Sequence, residues 1–196
     1  MAQAGILTLD VTPGEGDAEL FARWRRALRA PGIGLCIASG DMSARIDDAE
    51  AFANWIGLAV GLACPLLVLA DGPLGPRGVA LVLAADRACV TRRASLAEGW
   101  RDMPGLAALA LRRAGPGVAR ALLFSEADLT TDDLARLGLV DMRDDLPLAR
   151  QAFAAPAMLA VRSRAKRCLR AAQELPFSEA LAFDVAFRTG AMETSR

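Results

Sequence analysis

The sequence predicts an α/β fold in which short strands alternate with helices, followed by a helical C-terminal region. Three observations predict it. Apolar or alternating runs of strand length recur between segments of helical periodicity. Clusters of Gly, Pro and Asp punctuate most of the junctions. From Leu148 to Phe187 no strand pattern is seen, only helix interrupted at Pro156 and Pro176. At 196 residues, 54% of them hydrophobic, the chain has apolar material enough for a sizeable core and little tendency to disorder. The expected division is an α/β core over residues 1–145 and a helical region over residues 146–196 used for packing and oligomerisation.

Ile6–Val11 alternates apolar with polar and reads as a strand, ended by Thr12-Pro13-Gly14-Glu15-Gly16. Asp17 is placed to cap a helix running to Arg29, with Leu20, Phe21, Trp24 and Leu28 on one face, and Pro31-Gly32 stops it. Ile33–Ala38 suits a buried strand and Ser39-Gly40-Asp41 a loop. A second helix is expected from Asp47 to Ala63, its core stripe formed by Phe52, Trp55, Ile56 and Ala59. Pro65–Ala70 reads as a strand, Asp71–Gly78 as a loop, Val79–Ala85 as a short helix and Ala88–Thr91 as a strand. Pro104–Arg113, Gly117–Phe124 and Thr131–Leu137 read as helices, and Gly138-Leu139-Val140 as a short strand.

Charge and composition exclude several functions. Lys plus Arg and Asp plus Glu are each 23, so there is no basic excess of the kind a nucleic-acid binder carries. There is no histidine, which removes His-based nucleophile activation, imidazole bases and His-ligated zinc, and no tyrosine. Carboxylates, backbone amides, Arg and Cys remain. Cys36, Cys64, Cys89 and Cys168 form no CxxC pair and read as buried free thiols of a reducing compartment. The first residues lack a basic segment followed by a long apolar one. The apolar stretch Ile56–Ala70 is broken by Gly57, Gly61 and Pro65, so no membrane span is expected and a cytoplasmic location is.

The informative stretch is Ala70-Asp71-Gly72-Pro73-Leu74-Gly75-Pro76-Arg77-Gly78-Val79-Ala80-Leu81-Val82-Leu83-Ala84-Ala85-Asp86: strand, glycine loop, apolar helix, Asp. It resembles the signature of the crotonase (enoyl-CoA hydratase/isomerase) superfamily, an N-G-x-x-x-G-G-G loop and a helix closing on Asp. Further pieces follow in the family's order. They are Ala94-Ser95-Leu96, Pro104-Gly105, Gly115 with Ala119, Leu122 and Leu123, then Leu134-Ala135-Arg136-Leu137-Gly138-Leu139-Val140-Asp141, Lys166, and Phe177-Ser178-Glu179-Ala180-Leu181-Ala182. The likeness covers about Pro65–Phe187 well and the first 60 residues poorly.

The resemblance implies a spiral of ββα units, an acyl-CoA substrate, coenzyme A only as part of that substrate with no separate cofactor and no metal, and a homotrimer or dimer of trimers. It also implies an oxyanion hole of two backbone amides. A thioester carbonyl that gains negative charge needs preorganised N–H donors, and a glycine turn at a helix N-terminus supplies them. One donor is expected at Arg77, beside Gly78 in the ligand-binding loop. The other belongs to an F-x-A-G-x-D motif that Leu35–Asp41 resembles loosely, which makes Ala38 the candidate; alternatively Ile33–Gly40 is the preceding strand and the motif loop is deleted. The Arg77 guanidinium is a further candidate for a CoA phosphate. The family's first glutamate falls on Ala80, and its second on Trp100 without a gap or on Glu98 with one, so Glu98 is the expected acid/base. Asp102 and Asp41 are lesser candidates, and Asp86 is expected to brace the fold. Ala80, Arg77 and the short tail after Phe187 point instead towards a non-catalytic homologue that binds acyl-CoA or assembles with an active paralogue.

Overall fold

A computed structural model of the chain describes residues 5–188. Its centre is a five-stranded, wholly parallel sheet in the order β1 (Gly5–Val11), β2 (Ile33–Gly40), β3 (Leu66–Ala70), β5 (Arg87–Val90), β7 (Asp141–Met142). A second, two-stranded parallel sheet pairs β4 (Pro73–Leu74) with β6 (Ser95–Leu96). Helices α1 (Asp17–Ala27), α2 (Ala49–Gly61), α3 (Pro76–Ala84) and α4 (Leu106–Phe124) follow β1, β2, β4 and β6. Thus β3-β4-α3 and β5-β6-α4 are two ββα turns of a spiral, the fold class that the sequence implies.

Parallel strands are buried on both faces, and their side chains alternate between them. Cys36, Ala38, Leu66, Val68, Ala88 and Val90 join Leu9 and Val11 in the main core under α1–α4. The alternate residues Leu35, Ile37, Leu67, Leu69 and Cys89 face the other way, against Phe153 of α6 (Leu146–Phe153) and Leu159 of α7 (Pro156–Glu174). The helical region, which ends in α8 (Phe177–Arg188), therefore closes the second face of the sheet. Lys166 fastens it: its Nζ donates to Asp86 Oδ2 at 2.8 Å and to the Cys64 carbonyl at 3.0 Å. Asp86 Oδ2 also accepts the Leu66 N–H at 2.7 Å, the bracing role expected for it.

Local expectations hold with some shifts. α2 starts two residues later than expected, capped by Asp48, which accepts the N–H groups of Glu50 and Ala51 at 3.0 Å. Asp17 lies inside α1 instead of capping it. α3 begins at Pro76 because proline suits a first helical position, whose N–H has no helical partner. Gly115, at φ 77°, and Pro116 kink α4, which explains the two helices read from the sequence. Thr130 and Asp133 form a reciprocal capping box on α5 (Thr131–Arg136). Gly138-Leu139-Val140 is not a strand: Gly138 is at φ 72° in the turn after α5, and pairing starts at Asp141. Among the described residues, no helix is long and apolar enough to cross a membrane.

Candidate functional site

The C-terminal ends of β2, β3 and β5 lead into loops that gather around the N-terminus of α3, the usual place for ligands in an α/β sheet. What lies against that N-terminus is the chain leaving β2. A Cβ on Gly75 would sit 2.3 Å from the Ser43 carbonyl oxygen, and one on Gly78 would sit 2.5 Å from that of Met42. Only glycine permits this approach. The Gly75 N–H donates to the Met42 carbonyl at 2.8 Å, fixing the loop on the helix. The N–H groups of Arg77 and Gly78 belong to the first turn, where an α-helix offers its own donors no acceptor. With Pro76 ahead of them, they are the donors this helix end presents.

The Arg77 side chain turns away into the protein. Its Nη2 is 2.9 Å from Asp47 Oδ1, its Nη1 donates to the Glu15 carbonyl at 2.6 Å, and its Nε lies 2.7 Å from Asp17 Oδ1 as an ion pair without hydrogen-bond alignment. Asp17 is wholly buried and also accepts the Asp47 and Asp48 N–H groups and Trp55 Nε1. The Arg77 side chain is 3% exposed, so the phosphate-binding role considered for its guanidinium is corrected: it ties the β1–α1 turn, the segment before α2 and α3 together.

Ala38 is corrected as well. It is fully buried within β2, in register with Leu9 on one side and Val68 on the other. Cys36 donates its N–H to Pro65 in the β3 direction, and the alternation of a strand points the Ala38 N–H the same way, into the ladder. Of the two alternatives for Ile33–Gly40, the strand is the observed one. The residues that follow it resemble the motif. Met42-Ser43-Ala44-Arg45-Ile46-Asp47 fits F-x-A-G-x-D at three positions in kind, with Arg45 in the glycine's place. Met42 is buried where the motif has Phe. The signal was available in the spacing of Ala44 and Asp47, but Met for Phe and Arg for Gly hid it.

A cleft of about 530 Å³ opens beside this loop, lined by Arg45, Ile46, Pro76, Glu98, Gly99, Asp102 and Pro104. Glu98 and Asp102 are exposed on it, held by a 3-10 turn over Trp100–Asp102 after Gly99, at φ 76°. Trp100 is buried under that turn. The structure thus brings Glu98 and Asp102 together with the N-terminal turn of α3. It does not bring Asp41, which bonds the Ser43 N–H and hydroxyl and borders a smaller cavity of about 230 Å³ with Gly72 and Pro73. Ala80 is fully buried in α3. The cleft therefore offers exposed carboxylates, one exposed cation (Arg45) and the donors of a helix end, a set suited to holding a polarised carbonyl and moving a proton beside it.

No protein-family model matches the chain, and no curated protein matches it in sequence. Solved structures do match in fold. An enoyl-CoA hydratase/isomerase family protein from Silicibacter pomeroyi superposes with a TM-score of 0.73 at 18% identity, over 100% of this chain and 98% of that one. The enoyl-CoA hydratase/isomerase of Cupriavidus metallidurans gives 0.70 at 20% identity, covering 96% and 85%. The enoyl-CoA hydratase of Thermoplasma volcanium gives 0.70 at 17%, covering 91% and 82%. The chain has the enoyl-CoA hydratase/isomerase, or crotonase, fold.

Proposed function

We propose that the chain binds acyl-CoA thioesters in the cleft at the N-terminus of α3, and that Glu98 is the acid/base of a slow isomerase- or hydratase-type reaction there. The observation that carries this is the seating of Met42–Ala44 on Gly75 and Gly78, which sets a second stretch of backbone against the free N–H groups of the helix end. The thioester oxygen would take the Arg77 N–H as one donor and the Ala44 N–H, in place of Ala38, as the other. Gly78 would leave room for the acyl group, and Arg45 would meet a CoA phosphate. Calorimetry with acetyl-, crotonyl- and phenylacetyl-CoA should show weak binding, tighter than that of the free acids. No heat with any of them at millimolar ligand would overturn the reading.

A second reading, a non-catalytic homologue that holds acyl-CoA or partners an active paralogue, is favoured by Ala80. That residue stands where the family's first glutamate falls, and it cannot carry a proton.

The same reading has the chain in the cytoplasm as a homotrimer or a dimer of trimers. None of Cys36, Cys64, Cys89 and Cys168 is in a disulfide, as suits a reducing compartment. Leu148, Val161, Leu169, Phe177, Leu181 and Val185 leave an apolar face exposed on α6–α8. Sedimentation should give a trimer or a multiple of it at micromolar concentration, and a clean monomer would count against the assembly.

A further inference from the structure

The fold brings together two cysteines that the sequence separates by a loop and a helix. Cys36, in the middle of β2, and Cys64, in the turn before β3, have their sulfur atoms 3.5 Å apart. The two are unlike. Cys36 is fully buried, whereas Cys64 is partly exposed to solvent. Lys166 of α7, ion-paired with Asp86 at 2.8 Å, puts its ammonium on the Cys64 carbonyl at 3.0 Å, so the positive end of that pair stands at the exposed cysteine.

We propose that Cys36 and Cys64 are a redox couple, with Cys64 the thiol that reacts with a hydroperoxide and Cys36 the resolving thiol that closes a reversible disulfide. The Cys64 thiolate attacks the peroxide: an S–O bond forms, the O–O bond breaks, and an alcohol (water, from hydrogen peroxide) leaves. Cys36 then attacks the Cys64 sulfenic sulfur: the S–S bond forms, the S–O bond breaks, and water departs with the Cys36 proton. Two thiols and one hydroperoxide become one disulfide, one alcohol and one water, with two electrons passed to the peroxide. The sulfurs must close by roughly 1.5 Å to reach bonding distance, a small movement for the turn that carries Cys64.

The charge distribution agrees with this division of labour. The contact with Cys36 and then the Lys166 ammonium bring the Cys64 thiol down to about 7, against the opposing effects of burial and of Asp86. The same contact, together with burial, raises Cys36, which keeps its proton until the second step. These are the features of a reactive thiol beside its partner. The pair sits at the N-terminal end of β3, the opposite end of the sheet from the cleft. The proposal does not rest on acyl-CoA binding.

The test uses the full chain, reduced and folded, exposed at neutral pH to one equivalent of hydrogen peroxide, then denatured and labelled with a maleimide. The expected product is lower in mass by two hydrogens and takes label on Cys89 and Cys168 only. Digestion should yield the Cys36 and Cys64 peptides joined, and dithiothreitol should restore full labelling. Cys36→Ser should instead accumulate a Cys64 sulfenic acid that a 1,3-dione reagent traps, and Cys64→Ser should lose the reaction. Label on all four cysteines after peroxide, a disulfide between chains, or oxidation of Cys89 or Cys168 in preference would each overturn the proposal. If Cys64→Ser does not fold, the mapped disulfide and the trapped sulfenic acid still decide.

Discussion

Arg77→Leu is expected to lower stability by about 3–5 kcal/mol, the range for removing one partner of a buried ion pair. The reason is what stays behind. Asp17 is fully buried, and without the guanidinium its charge keeps only N–H donors. The Glu15 carbonyl loses its donor as well. Arg77→Lys should recover little, because one ammonium cannot reach three oxygens arranged for a planar fork. Arg77→Leu combined with Asp17→Asn should be less damaging than Arg77→Leu alone, since no buried charge is left while an amide oxygen still accepts from the N–H groups that Asp17 holds. Urea denaturation measures all three. Were the Arg77 side chain a ligand contact, its replacement would weaken CoA thioester binding and leave the denaturation midpoint where it was.

Glu98→Gln is expected to reduce turnover of a crotonyl- or isomerisable enoyl-CoA by roughly 10²–10⁴-fold, the worth of one positioned acid/base. Affinity for the thioester should change little, because the substitution keeps the shape and removes only the proton-transfer group. The unmodified chain should itself be a poor hydratase. Steady-state kinetics beside calorimetry separates the two quantities. Asp102→Asn, on the same cleft, is the control: an equal loss there with none at Glu98 would exchange their roles. Restoring hydration by Ala80→Glu is not expected to succeed, since position 80 is fully buried and the new carboxylate would enter the core. Good hydration by the unmodified chain would sink this account.

The fold was legible where local physics and global packing agree. The run Leu66–Ala70, the Gly75–Gly78 turn and the helix behind it each have one sensible structure, and their order implied the spiral. Glu98 was named because the Pro104-Gly105 anchor fixed the gap in front of it, and the structure places it on the cleft. What failed did so for identifiable reasons. Ala38 was misplaced because a short apolar run ending in Ser-Gly-Asp suits a strand end and a binding loop equally well. Arg77 was taken for a ligand contact because nothing local says that an arginine 60 residues from Asp17 will be its buried partner. The nearness of Cys36 to Cys64 follows from the register of β2 on β3, which pairs Cys36 with Leu66, and spacing alone does not reveal it.

The order of strands in the main sheet, β1-β2-β3-β5-β7, never doubles back. Each strand docks beside the one that preceded it in the sheet, so the sheet can grow from one edge in the direction of synthesis, without waiting for a later strand to insert. Most of its pairings close one helical crossover at a time, which keeps the loop-closure cost of each addition small. The second face stays uncovered until α6 and α7 are made. Leu35, Ile37, Leu67 and Leu69 are then the surface a nascent chain must keep from its neighbours. The Lys166–Asp86 contact, 80 residues across the sequence, marks the end of that exposed interval.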